Sequence, residues 1–332
     1  MRGLSKVIRL IPSMPRPVPS VSLPGSGLVV SRLGLGAMSL SLAGRPDRDL
    51  AKAVVRRAIE RGVTLIDTAD VYALDESDIG HIERLVAEAV REAGARIGTE
   101  GPGSVVVASK GGRTRQGAHW GCDGRPEHLR EACHASLTSL GIDRIPLYQL
   151  HTPDPQVPFA DSVGALARLR EEGKVAAVGL SNVDVGQIRE ARAIVPVASV
   201  QNGFSPWDMG FRRSPVVSYC EREGLLLLAH SPLGGANRAP VLDQNESLRA
   251  IGREVEATPA ELALAWLLAQ APIVVPIPGA RRVESVESSV RAASLKLDPG
   301  ILRRLERAFR ALPGAESLVG RVLSRLAHRL RR

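Results

Sequence analysis

The sequence predicts an α/β protein, a (β/α)8 barrel of the TIM type with extra terminal segments. Three observations carry that prediction. Short apolar runs alternate with amphipathic stretches of helical spacing along most of the 332 residues. The runs number eight, the count that closes a parallel barrel. No composition shift marks a second domain inside the repeating part. A strand covered on both faces reads as a continuous apolar run, as Val105-Val106-Val107-Ala108 does. An open doubly wound sheet is the competing arrangement, but no G-x-G-x-x-G follows an early strand.

The expected strands cover residues 33–36, 63–67, 104–109, 146–151, 176–180, 198–201, 225–230 and 273–276. Helical spacing fills 47–61, 82–93, 126–140, 159–172, 185–193, 215–223 and 259–268 between them. Some boundaries have local causes. Arg170-Glu171-Glu172-Gly173-Lys174 closes a helix with charge and then glycine. Thr258-Pro259 sets a capping hydroxyl before a proline at the first helical position. Three segments result: a Pro-rich arm over 1–22, the barrel over 23–312, and a basic amphipathic tail over 313–332. Three prolines between Met14 and Pro19 argue against regular pairing in the arm. In the tail, Leu318, Val322, Leu326 and Leu330 share one stripe, and arginines cover the other faces. That pattern suits a helix packed on the barrel, or one that meets a partner or an anionic membrane surface.

Composition excludes several classes of function. A 44% hydrophobic content supports a sizeable core, and the net charge of +9 is spread along the chain. Lys6, Lys52, Lys110, Lys174 and Lys296 are the only lysines, so the charge is almost all arginine. No basic run is interleaved with stacking aromatics, which argues against a nucleic-acid partner. Cys122, Cys133 and Cys220 are odd in number and scattered, which suits a reducing compartment and no disulfide framework. No apolar run approaches the ~20 residues of a membrane span, and the amino terminus lacks a signal-peptide pattern. The expected location is cytoplasmic. His128, Cys133 and His134 match no tetrahedral ligand spacing, so no metal is expected. Oligomeric state is not legible.

Active sites of parallel barrels gather at the carboxyl ends of the strands. Read there, the runs end in Asp67 with Tyr72 in the loop beyond, then Lys110, His151, Ser181-Asn182, Gln201-Asn202 and His230-Ser231. An acid, a phenol, an amine and an imidazole on one rim make a coherent set. Asp67 would keep Lys110 charged, and the ammonium would lower the Tyr72 phenol toward neutral pH. His151 would orient and polarise a carbonyl oxygen.

These residues resemble the aldo-keto reductase superfamily, from about Leu28 to Leu297. Ser31-Arg32-Leu33-Gly34-Leu35-Gly36 is similar to its first-strand motif. Ile66-Asp67-Thr68-Ala69-Asp70-Val71-Tyr72 resembles the segment with its catalytic Asp and Tyr. Ser109-Lys110 and Gln149-Leu150-His151 match its Lys and His. The resemblance implies reduction of an aldehyde, ketone or sugar-like carbonyl by NADPH (NADH being less favoured), with Tyr72 as proton donor. It also implies that Ser181, Asn182, Gln201 and Asn202 grip the nicotinamide carboxamide, with His230 where many relatives stack an aromatic ring. Ser231, Leu233 and Gly234 would meet the pyrophosphate. Gly279, Arg281, Arg282, Ser285, Ser288 and Ser289 would form the adenosine end, although Ser285, Ser288 and Ser289 depart from the usual residues. The two arginines suit a 2′-phosphate.

The segment 111–126 is expected to be a substrate-facing lid carrying Arg113, Arg115, His119 and Trp120. Trp207 is read as apolar substrate wall, or as loop packing. Two other functions compete with the reductase. One is a redox-inactive nicotinamide-binding sensor or regulatory subunit, which would not need all four of Asp67, Tyr72, Lys110 and His151. The other is a lyase or isomerase forming a Schiff base on the lysine, chemistry that requires neither the paired Asp67 nor the Ser-Asn and Gln positions.

Overall fold

The computed structural model describes residues 18–25, 27–98, 101, 103–208, 211–235 and 237–314. Eight parallel strands form a barrel: β1 (Leu35–Gly36), β2 (Leu65–Asp67), β3 (Ser104–Gly111), β4 (Ile145–Leu150), β5 (Val175–Ser181), β6 (Val197–Gly203), β7 (Leu226–His230) and β8 (Val274–Pro276). Each pairs in parallel with the next. A bridge from Gly36 to Gly279 closes the ring, with Gly34 N donating to Pro276 O and Gly36 N to Pro278 O, both at 2.9 Å. Glycine is needed at this seam, because a Cβ on Gly36 would lie 2.8 Å from the Ile277 carbonyl oxygen.

Helices α1 (Arg48–Glu60), α2 (His81–Glu92), α3 (Pro126–Leu140), α4 (Phe159–Glu171), α5 (Val185–Ile194) and α6 (Pro215–Glu223) follow β1 to β6 in turn. Three helices, α7 (Ala239–Gln244), α8 (Glu246–Val255) and α9 (Pro259–Leu268), lie between β7 and β8. Then α10 (Val283–Ser294) and α11 (Pro299–Arg310) follow. Side chains start several of them. Asp47 caps α1, and capping boxes formed by Asp184 with Gln187 and by Thr258 with Glu261 open α5 and α9. Each expected strand or helix lies within two residues of an observed one at both ends.

The period-two alternation of the strands divides the core. Ile66, Val107, Tyr148, Leu150, Val178, Leu180, Val200, Leu227 and Val274 pack with the helices in one large cluster. Leu65, Val106, Ala108, Leu147, Ala177, Ala198, Leu226, Leu228, Val275 and Ile277 form a separate cluster, which is the barrel interior. Climbing four of the strands on this inner face leads from aliphatic residues to polar ones. Leu65 is followed by Asp67, Ala108 by Lys110, Leu147 by Gln149 and Leu228 by His230. One end of the interior is therefore dry, and the carboxyl end carries the chemistry.

Two expectations need correction. Residues 20–22 are not part of an irregular arm. Ser20–Leu23 pairs antiparallel with Leu28–Ser31, and its Leu23 and Val30 join the interior cluster as a plug. The three prolines between Met14 and Pro19 precede the strand, and the Pro19 carbonyl accepts from Arg32 N at 2.7 Å, so pairing begins just past them, while Pro24 falls in the hairpin turn. The segment 111–126 is not simply a loop, since Arg113–Gln116 and His119–Cys122 form an antiparallel hairpin. Residues 1–17 of the arm and 315–332 of the tail, with its arginine-rich stripe, lie outside the described residues. Among the described residues, no helix is long and apolar enough to cross a membrane.

If the hairpin seals the barrel, Leu23→Ala should lower stability by about 2–5 kcal/mol, the usual cost of truncating a buried leucine. Guanidinium unfolding followed by tryptophan fluorescence measures this, and an unchanged midpoint would remove the plug from the fold's stability.

Candidate active site

Lys110 is fully buried. Its ammonium donates to Asp67 Oδ2 at 2.7 Å, Thr68 O at 2.7 Å and the Tyr72 hydroxyl oxygen at 3.2 Å. An ammonium has three donors and no acceptor, so all three are used. Tyr72 Oη therefore accepts, and its own O–H is left free to be given elsewhere. Asp67 is satisfied from the opposite side, its Oδ1 accepting from Gln201 Nε2 at 2.7 Å and Gln149 Nε2 at 3.4 Å.

Tyr72 lies beyond β2, so other contacts must fix it. Ser41 Oγ donates to the Tyr72 carbonyl at 2.5 Å and lies 2.7 Å from His81 Nδ1. The carbonyl can only accept, so the hydroxyl proton goes to it and His81 donates from Nδ1 to Ser41. The His151 ring stands edge-on to Tyr72, with centroids 5.6 Å apart. Among the described residues neither His151 ring nitrogen has a hydrogen-bond partner, and Nδ1 is buried.

Burial alone would lower the Lys110 ammonium, but Asp67 and Tyr72 together outweigh it and the net shift is upward. For Tyr72, burial pushes the phenol up by more than Lys110 pulls it down. The expected lowering of Tyr72 is thus reversed in this structure, because desolvation of the phenolate dominates. The phenol keeps its proton at neutral pH. Burial, then the positive charges of Lys110 and Arg113, hold His151 well below its ordinary value. Burial and Lys110 likewise lower His230, so both imidazoles are neutral at pH 7.

Around the rim, Asn182 Nδ2 donates to His151 O at 3.0 Å and to Ser181 Oγ at 3.1 Å. Its Oδ1 then faces His230 Nε2 at 3.4 Å, which assigns the ring proton to Nε2 and lets Ser231 Oγ donate to Nδ1 at 3.3 Å. Asn182 and Ser231 both adopt positive φ, 59° and 51°, as sharp turns at strand ends require. Asn202 does not face the pocket; it bonds both Val183 N and Val183 O and so staples the turn after β5. The Ser231 turn closes through Gly234 N to Ser231 O at 2.8 Å, with Leu233 half-buried against the core.

The adenosine-end candidates separate. Gly279 lies at the barrel seam, while Arg281 and Arg282 are exposed at the start of α10, with Ser285 in its first turn. Ser288 Oγ donates to Glu261 and Ser289 Oγ to the Ser285 carbonyl, each at 2.9 Å, so both hydroxyls are engaged within the protein.

The lid hairpin is also only partly as expected. Trp120 reaches the site, edge-on to Tyr72 at 6.3 Å, with the Arg115 guanidinium 4.4 Å from its ring centroid. His119 pairs with Gln116 and so lies on the opposite face from the Arg115–Trp120 pair. Trp207 is not a substrate wall. It is 1% exposed, its indole donates to Pro313 O at 3.2 Å, and it packs against Gly234. Sequence reasoning assigned no role to Gln149, Thr68, Ser41 or His81. The parity of Gln149 with inward-facing Leu147 was an available signal for the first; contacts far apart in sequence define the others.

A parallel barrel with a charged Lys–Asp pair beside a buried tyrosine and a neutral histidine defines a class of oxidoreductase site. The aldo/keto reductase family model matches residues 32–309. An uncharacterized oxidoreductase of Schizosaccharomyces pombe is 33% identical over 84% of this chain and 87% of its own. The Glycine max protein named "Probable aldo-keto reductase 1" is 32% identical over 93% of both chains. Among solved structures, the thermostable aldo-keto reductase Tm1743 with the inhibitor epalrestat aligns with TM-score 0.73 at 27% identity, over 87% of this chain and 99% of that one. A Klebsiella pneumoniae aldo/keto reductase with NADP and acetate aligns with TM-score 0.69 at 26% identity, over 85% and 92%. The chain belongs to the aldo/keto reductase family.

Two outcomes follow from the site's electrostatics. Lys110→Met should cost about 3–5 kcal/mol by stranding the Asp67 carboxylate. The double variant Asp67→Asn/Lys110→Met should cost less than the sum of the singles in denaturant unfolding, and strict additivity would deny the coupling. His151 and His230 have lowered folded values, so the unfolded chain binds more protons in acid. Stability should then fall as pH drops below about 6.5, by up to about 1.4 kcal/mol per unit for each group. His151→Gln should flatten that slope in melts from pH 7 to 5; an unchanged slope would mean His151 is not held neutral.

Proposed function

We propose that the protein is an NADPH-dependent reductase that converts an aldehyde, ketone or sugar-like carbonyl into an alcohol. The observation that carries the reading is the Lys110–Tyr72 contact. Because the ammonium takes the phenol oxygen as acceptor, the phenolic proton is free for a carbonyl oxygen in the pocket. Burial keeps that proton in place until it is needed. Neutral His151, unpartnered beside Tyr72, orients the same oxygen with a ring N–H.

Reduced nicotinamide, when bound, supplies the hydride to the carbonyl carbon. As that bond forms, the carbonyl π electrons move to oxygen and Tyr72 gives it a proton. The resulting phenolate sits against the Lys110 ammonium, which stabilises it until a proton returns from solvent. The residues present fit the cofactor. Ser181 Oγ accepts from Asn182 and so retains its own proton to donate. Gln201 donates from Nε2 to Asp67 and leaves its oxygen unengaged among the described residues. A donor and an acceptor at neighbouring strand ends complement a carboxamide. His230 offers a ring face held by Asn182 and Ser231. Exposed Arg281 and Arg282 at the start of α10 suit a 2′-phosphate, and a relative solved with NADP supports the same preference.

The test is fluorescence titration with NADPH and NADH, then a carbonyl panel followed by loss of cofactor absorbance. Wild type should bind NADPH more tightly and turn over. Tyr72→Phe should lose about 10²–10⁴-fold in kcat while keeping NADPH affinity. Near-normal turnover by that variant would remove Tyr72 as the acid. Binding without turnover on any carbonyl would favour the sensor instead.

A further inference from the structure

The inner face of the lid hairpin carries a positive charge that the proposed chemistry leaves unused. Directly opposed residues of an antiparallel pair point to the same side. The register pairs Arg113 with Cys122 and Arg115 with Trp120, so these four side chains share one face. Trp120 fixes which way that face looks, because its ring is edge-on to Tyr72 at 6.3 Å. Arg113 therefore stands on the site side of the hairpin, three residues after Lys110.

The two arginines differ in what they already do. Arg115 stacks on Trp120 and donates to Leu74 O at 2.9 Å, so it is spent on holding the hairpin. Half-buried Arg113 has no hydrogen bond or ion pair among the described residues. Its cross-strand partner is the neutral thiol of Cys122, pushed up by burial and then by Asp154. The nearest carboxylates along the chain are engaged elsewhere. Asp123 binds Arg125, and Asp154 accepts from Gly124 N and Gln156 N. Lys110, the other cation of the pocket, is neutralised by Asp67. The charge of Arg113 also bears on Tyr72, His151 and His230, side chains from three different parts of the rim. A guanidinium within electrostatic reach of all three lies near the space they enclose.

We propose that Arg113 binds an anionic group of the substrate, a carboxylate or a phosphate set a few bonds from the reacting carbonyl. This rests on the carbonyl-reductase reading above and names the substrate class of the same site. The planar fork of Arg113 takes two oxygens of the anion at once. Half-buried Arg113 would hold that anion with less screening than a fully exposed ion pair. Trp120 flanks the remainder of the molecule, and the carbonyl lies against Tyr72 and His151.

The test uses the full chain, NADPH and matched probes. 4-Carboxybenzaldehyde is compared with 4-methylbenzaldehyde, and glyceraldehyde 3-phosphate with glyceraldehyde. The readout is the ratio of kcat/KM for the anionic probe to that for its neutral partner. Wild type should prefer at least one anionic probe, and the pair that shows it tells carboxylate from phosphate. Arg113→Gln should lower that ratio by about 10- to 100-fold, mainly through KM of the anionic probe. Arg113→Lys, which keeps the charge but loses the fork, should fall between, and added salt should narrow the wild-type preference. A wild type without preference, or a ratio unmoved in Arg113→Gln, would overturn the assignment. If wild type reduces no probe although NADPH binds, the reductase reading itself fails.

Discussion

The ammonium of Lys110 sits with no solvent exposure, and much of the rim can be derived from that constraint. A buried charge needs a counterion and an acceptor for every proton. Strand register supplies the counterion. Asp67 on β2 pairs with Ala108 on β3, so Lys110 stands two residues further along the same inner face, roughly 6–7 Å above it. The four-carbon stem of lysine spans that offset and brings the ammonium back to the carboxylate. Gln149 is directly opposite Lys110 in register, and Gly179 beside it has no side chain, since a Cβ there would lie 2.8 Å from Gln149 Cγ. The glutamine thus has room to lean over Asp67. Only Tyr72, from the loop, supplies an acceptor that is not part of a strand or its first turn, and it is the one that can give up a proton.

Behind this strand the protein keeps other acids from competing. Asp70 and Glu83 are buried, and desolvation pushes both carboxyls up, Asp70 further through the proximity of Glu83. Ser109, next to Lys110 but on the outward face, donates to Glu83. Burial opposes ionisation of both groups, and Asp67 is the carboxylate that bonds the ammonium directly. The residual positive field then falls on Tyr72. Buried polar atoms without protein partners also gather here, among them Thr68 Oγ1, Tyr148 Oη, Gln149 Oε1 and His151 Nδ1. Such atoms are rare in protein interiors and concentrate where function overrides packing.

The barrel was legible because period-two and period-3.6 patterns are local properties, and the strand-end residues followed from the topology they imply. Three features were hidden for physical reasons. The amino-terminal hairpin has a strand of mixed burial, Ser20–Leu23, whose stability comes from Leu23 entering the barrel interior rather than from its own pattern. The lid hairpin carries Arg113, Arg115, Gln116 and His119, residues that do not announce a strand, and it is pinned by contacts to another loop. The direction of the Tyr72 shift depends on burial against charge, two opposed effects whose balance no motif encodes. Trp207 reads the same from sequence whether it lines a pocket or fills a core, and its burial with its contacts to Pro313 and Gly234 distinguishes the two.

The contacts of the lid hairpin also link it to the backbone beside Tyr72. Arg115 donates to Leu74 O and Gly117 N to Glu76, both in the segment that follows Tyr72. The hairpin therefore rests on the stretch of chain that directly follows Tyr72. On the other side, Ser41 and His81 hold the Tyr72 carbonyl, and Asp70 O accepts from Gly80 N at 2.9 Å. Tyr72 is thus tied at its backbone to the rigid start of α2 and, through Leu74 and Glu76, to the hairpin. The contacts of Tyr72 with Ser41 and Lys110 lie on the barrel side of the loop, and those of the hairpin with Leu74 and Glu76 lie beyond it.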